Sequence, residues 1–213
     1  MNIEYFFFIP LLLELLAAVI GTVTYRKYSE SNEKYFLYFL WYTLLVELTG
    51  DVVGYLFSAD NFWVYNGFII TSFLFYFYWY YSILKRKRFR KTIVVFTAVF
   101  LIVAAYSLVY EDGSQYHSYT FLTGASFVLV LTVFHFYNLL NSDEVLIVKY
   151  KLSFWISTAL LLFYMGMIPL MFLTVYADLN DVSYLIIILS MNLILYGCYI
   201  IGFLWTKKEY NRF

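Results

Sequence analysis

Charge is what this sequence has least of. Asp, Glu, Lys and Arg make up 13% of its 213 residues, about half the share carried by an ordinary soluble domain. Lys and Arg are missing from the long apolar runs, so nothing of opposite sign is at hand there for a buried acid. The last run, "SYLIIILSMNLILYGCYIIGFLW", holds no lysine for a retinal Schiff base, which argues against a rhodopsin-type photoreceptor. With two histidines, His117 and His135, the chain cannot supply the several-histidine zinc centre of ceramidase-type membrane hydrolases. An intramembrane aspartyl protease shares one proton between two aspartates, whereas Asp51 is the sole aspartate inside an apolar run. A single cysteine, Cys198, excludes an internal disulfide. Neither a Gly-rich phosphate loop nor a G-x-S-x-G elbow occurs. No metal or other cofactor and no nucleic-acid partner is therefore expected.

What is abundant is apolar and aromatic surface: 63% hydrophobic residues, with 24 Tyr and 23 Phe. A helix needs about 20 mostly apolar residues to cross the hydrocarbon core. Seven runs qualify: Tyr5–Tyr25, Tyr35–Phe57, Asn66–Leu84, Thr92–Tyr110, Tyr119–Leu140, Leu152–Tyr176 and Ser183–Thr206. They are continuous rather than alternating, which favours helices over barrel strands. The expectation is an all-α, polytopic membrane protein, a single seven-transmembrane-helix bundle in contact with the lipid bilayer. Pro169 in "MGMIP" should kink the sixth span. Arg26, Lys27 and Lys34 fall in the first loop, Lys85 to Lys91 in the third, Lys149 and Lys151 in the fifth, and Lys207, Lys208 and Arg212 in the tail. Together these are all 14 Lys and Arg, and the alternate loops carry none. The positive-inside rule then puts the N-terminus outside and the C-terminus in the cytoplasm.

Against this background "VELTGDVVG" stands out. It places Glu47 and Asp51 inside the second run, while Glu14 lies inside the first. Intramembrane acids are expensive and are by default candidates for a functional site. At ~1.5 Å per residue, Glu14 and Glu47 both lie roughly 17 Å from the basic face. Positions 47, 50, 51 and 54 share a helical face, and Gly50 and Gly54 on it permit close approach. Asn192 and Tyr196 of the seventh run come out at similar depths. An acidic polar pocket is therefore expected, formed by Glu14, Glu47, Asp51, Asn192 and Tyr196, with Tyr164 of the sixth run beside it. The carboxyls there are protonated, hydrogen-bonded, or facing water or a cation. The plainer alternative is that they only knit helices together.

The stretches "FFFIPLLLELLAAVIGT", "YFLYFLWY", "FWISTALLLFYMGMIP" and "IIGFLWTKKE" resemble a group of uncharacterised seven-helix integral membrane proteins of Bacteroidota, which are sensor-associated or stand alone. The resemblance implies a bacterial inner-membrane location and a sensory role, and it carries over no catalytic residues. The first expectation is thus a non-enzymatic receptor- or sensor-like protein that binds a small or lipidic ligand, or a proton, in the acidic pocket. Its basic loops and tail would meet a cytoplasmic signalling partner. The alternatives are a small proton- or cation-coupled transporter and a membrane-embedded lipid-modifying enzyme. A faint echo between "LTGD" and "LTGAS" hints at a carrier-type repeat, but the other spans do not align.

Overall fold

The structure is a computed structural model that describes residues 4–57, 61–142, 145–176 and 181–211. Arg212, counted above among the basic residues, lies outside them. Among the described residues there are seven long α-helices: α1 Glu4–Thr24, α2 Lys34–Phe57, α3 Phe62–Ile83, α4 Lys87–Tyr110, α5 Ser118–Leu140, α6 Leu152–Tyr176 and α7 Asp181–Trp205. No strand occurs among the described residues. Six of the helices are long and apolar enough to cross a membrane. The exception is α3. It carries Tyr65, Asn66, Ser72, Tyr76, Tyr78, Tyr80 and Tyr81, whose polar atoms lower its hydropathy although its rings are bulky and apolar.

The helices form a closed ring in chain order, α1 packing on both α2 and α7, while α3 is drawn inward to touch α2, α4 and α5. Its inner face supplies much of the core through Phe73, Tyr76, Phe77, Trp79 and Tyr80. Phe39 and Phe75 stack at 4.2 Å between α2 and α3, and Phe96 and Phe127 at 4.1 Å between α4 and α5. On α1, Glu14, Ala17, Ala18 and Gly21 share the one buried face, while Leu12, Leu15, Leu16 and Val19 are exposed. That division suits a helix whose outer surface meets lipid and whose small residues let neighbouring helices close in. Gly21 shows why: a Cβ there would lie 2.9 Å from Leu37 and 3.0 Å from Phe203.

Two helices begin earlier than the sequence suggests. α3 starts at Phe62, with the Asn61 carbonyl accepting from Val64 N at 3.0 Å. α4 starts at Lys87, so most of the basic third loop is helical. Cations at a helix N-terminus oppose its dipole. They are held by other contacts: Arg90 lies over the Tyr81 ring at 4.8 Å and donates from Nε to the Leu84 carbonyl at 3.1 Å, and Arg86 lies over Tyr137 at 5.6 Å. The helix ends that carry Lys and Arg meet at one end of the bundle. There Lys27 donates to the Leu204 carbonyl at 2.8 Å, and Lys207 sits over Tyr150 at 4.2 Å. At the opposite end Asn66 clasps the α4–α5 loop. It donates to the Gln115 carbonyl at 2.9 Å and accepts from His117 N at 3.0 Å.

Candidate functional site

The small-residue face of α1 delivers Glu14 into the seam between α2 and α7. The side chain is 1% exposed, and its Oε1 has no hydrogen-bond partner among the described residues. Tyr196 of α7 interacts with this carboxyl, and Glu47 of α2 lies within Coulombic reach of it. Glu47 is half-buried and accepts a long hydrogen bond, 3.4 Å, from the Tyr65 hydroxyl of α3. Gly50 makes room for that phenol, since a Cβ at Gly50 would lie 2.6 Å from the Tyr65 oxygen. Asn61 donates to the Gly50 carbonyl at 3.1 Å and sits beside Gly54. The glycines of "LTGDVVG" therefore admit a tyrosine and an asparagine of the next helix and its cap.

The expected site residues are not equally placed. Glu14, Glu47 and Tyr196 come together. Asp51 is exposed, so α2 presents an acidic gradient from exposed Asp51 to half-buried Glu47, with buried Glu14 beyond. A four-residue step advances about 40° past a full turn, which moves Asp51 away from the seam. Asn192 is half-buried and donates to the Ile188 carbonyl of its own helix at 2.9 Å. Tyr164 is buried in the core against Tyr76, with ring centroids 6.4 Å apart, rather than against the acids.

From Tyr196 a column of phenols leads toward the basic end. Tyr76 interacts with Glu14, Tyr164 and Tyr199, and the Tyr199 ring lies 6.0 Å from that of Tyr196. One turn along α3, Tyr80 shares hydrogen bonds with Thr132 at 2.8 Å and Ser157 at 3.1 Å, and Ser157 in turn meets His135 Nδ1 at 2.7 Å. His135 feels the charge of Lys151, which is buried just before α6.

Sequence reasoning missed the group at the foot of this column. Glu33, in the turn before α2, is 1% exposed, with Oε2 unpartnered among the described residues. It lies in reach of Lys151, Ser31 and Ser153. Burial pushes its carboxyl above the usual carboxylate range, while Ser31, Lys151 and Ser153 pull it back in part. The signal was available. Position 33 stands three, four and seven residues before buried Phe36, Leu37 and Leu40, which puts it on the core-facing stripe of α2.

The arrangement suits reversible binding of protons or small cations, since it offers carboxyls and hydroxyls in series with few fixed positive charges. No cluster of three or more His, Cys, Asp or Glu able to hold a metal occurs among the described residues. A cavity of about 400 Å³ opens beside the Asn66 clasp, lined by Phe62, Gln115, Tyr116, Ser118, Met171 and Tyr184 among others. No protein-family model matches the chain, and neither does a curated protein or a solved structure.

Proposed function

We propose that the protein is a seven-span receptor- or sensor-like membrane protein of a bacterial inner membrane. Its N-terminus lies outside and its basic end in the cytoplasm. The ligand is a proton or a small cationic or lipidic molecule, received at Glu14 and Glu47 with Asp51 at the approach. One observation carries this reading: a carboxyl 1% exposed, amid apolar helices, with an oxygen that no described residue satisfies. A buried carboxyl oxygen is normally hydrogen-bonded, because leaving it bare costs about 1–3 kcal/mol; Tyr196 interacts with this carboxyl but leaves Oε1 without a partner. That oxygen is the one a guest would meet. α3, short of the hydropathy of the other six helices, is counted as the seventh span because it is as long as they are and packs at their centre.

The test is thermal unfolding in neutral detergent across pH and with sodium, potassium or a tetraalkylammonium ion. A ligand that binds only the native state raises the midpoint by mass action. A shift present in the wild type and abolished in Glu14→Gln supports the reading. Identical midpoints under every condition leave Glu14 a neutral structural group and refute it.

The phenol column favours a second reading, a proton- or cation-coupled transporter, because it links Glu14 with the Ser157–His135 pair near the basic end. Flux across proteoliposomes that disappears in Glu14→Gln would select it. Binding without flux selects the receptor.

A further inference from the structure

At the basic end the turn before α6, the last turn of α7 and the segment after it enclose an open cavity of about 710 Å³. Lys27, Lys149, Lys207 and Lys208 line it together with Glu209, and Glu30 pairs with Lys208. Lysines at a membrane edge are ordinarily spread out and solvated. These are gathered by a built scaffold.

The Tyr150 carbonyl accepts from Lys207 N at 3.2 Å, Thr206 Oγ1 at 3.3 Å and Asn211 Nδ2 at 3.3 Å. Asn211 is itself buried. It donates to Thr206 Oγ1 at 2.7 Å and to the Lys207 carbonyl at 2.6 Å, while its Oδ1 accepts from Leu152 N at 3.2 Å. The segment after α7 is thereby folded back onto the start of α6, an ordering that costs about 1–2 kcal/mol of backbone entropy per residue. The result is that the ammonium groups of Lys207 and Lys149 both approach one ring, 4.2 and 5.2 Å from the Tyr150 centroid. Both also line the cavity, so an anion held there is attracted by both charges. Lys27 on the Leu204 carbonyl at 2.8 Å and Lys208 on Glu30 at 2.6 Å flank the pair, each ammonium with further N–H donors to offer.

The mouth also has a greasy side. Leu204 and Trp205 are both exposed where α7 ends, and Trp205 stands edge-on to Trp155 at 5.7 Å. Tryptophans so placed mark the water–lipid interface, and basic pockets between spanning helices on that side suit anionic headgroups.

We propose that this cavity is a binding site for a phosphate-bearing anion, supplied as the headgroup of an anionic phospholipid. Lys149 and Lys207 take the phosphate, and Leu204 and Trp205 border the start of the acyl chains. The site is separate from the acids of α1 and α2 and stands whether or not those bind a ligand.

The test uses the full chain in neutral detergent at low salt and follows the unfolding midpoint. The additions are phosphatidylglycerol, phosphatidylcholine or inorganic phosphate. Phosphatidylglycerol should raise the midpoint well beyond phosphatidylcholine. In the Lys149→Gln/Lys207→Gln double variant its apparent affinity should fall about 10- to 30-fold, from the loss of two ammonium groups. Lys87→Gln/Lys91→Gln, on α4, should leave it within two-fold. Each variant is read against its own lipid-free midpoint, and retention of the lipid in native mass spectrometry gives a second readout independent of stability. A response to inorganic phosphate equal to that of phosphatidylglycerol keeps the site and assigns it to a soluble phosphate compound. Equal stabilisation by phosphatidylcholine, or an equal loss in the α4 variant, would show diffuse attraction and overturn the proposal.

Discussion

Gly50→Ala is the sharpest perturbation of the acidic seam. The added Cβ would sit 2.6 Å from the Tyr65 hydroxyl oxygen and 2.8 Å from Cζ of the same ring. Ordinary contact needs about 3.5 Å, so the phenol must retreat by most of an ångström. Its bond to Glu47 is already 3.4 Å long, and that displacement breaks it. Overpacking costs about 1–3 kcal/mol and the lost hydrogen bond about 1 kcal/mol, offset by about 0.5–1 kcal/mol of helix propensity gained in replacing glycine. The net expectation is about 1–3 kcal/mol of destabilisation. Gly54→Ala is the internal control: its Cβ would approach Asn61 Nδ2 only to 3.3 Å, at the end of a side chain that can shift. It should be neutral or stabilise slightly. Tyr65→Phe removes the closest atom, so the double variant should recover part of the loss, a coupling that a double-mutant cycle isolates. Reversible unfolding by SDS in mixed micelles measures the wild type and all four variants. Equal stability of the two glycine variants, or strict additivity with Tyr65→Phe, would refute the placement of Tyr65 against α2.

Two further outcomes are expected. Because burial raises the folded-state pKa of Glu33 above its unfolded value, its favourable contribution is complete below the unfolded pKa and is lost as pH rises through the raised one. Glu33→Gln should therefore flatten the loss of unfolding free energy on the alkaline side of the usual carboxylate range, and an unchanged pH profile would contradict the buried placement. Asn66→Ala leaves the buried His117 N–H and the Gln115 carbonyl without their side-chain partner, at about 1–3 kcal/mol for a buried group left unpaired. It should also speed proteolysis in the α4–α5 loop, while Asn66→Asp, which keeps only the acceptor, should fall between.

The helices were legible because lipid-facing surface leaves long apolar runs, and their ends were misjudged where interfacial chemistry departs from simple polarity. Phe62 and Trp63 read as loop, and so did Lys87 to Lys91, yet they open α3 and α4, where aromatic rings and long cationic side chains are at home in an end turn. Depth along a helix placed Glu14, Glu47 and Tyr196 at one level, because rise per residue is fixed. Rotation was less legible. Asp51 falls outside the seam, and Asn192 turns its amide to its own backbone. The phenol column could not be read in advance, since Tyr76, Tyr80, Tyr164 and Tyr199 come from three different helices and meet only once α3 moves inward. Glu33 was hidden by its neighbours. "SESNEK" reads as a solvated loop, although the core stripe of α2 begins inside it.

α3 grips both polar clusters with one rigid rod. Tyr65 reaches Glu47 near one end, and Tyr80 reaches Thr132 and Ser157 fifteen residues later, about 22 Å away along the axis. A single residue inserted between them would rotate one grip by about 100° relative to the other, so that only one of the two clusters could keep its α3 tyrosine. The phase of this helix, and not only its composition, decides whether Tyr65 and Tyr80 can hold their partners at the same time.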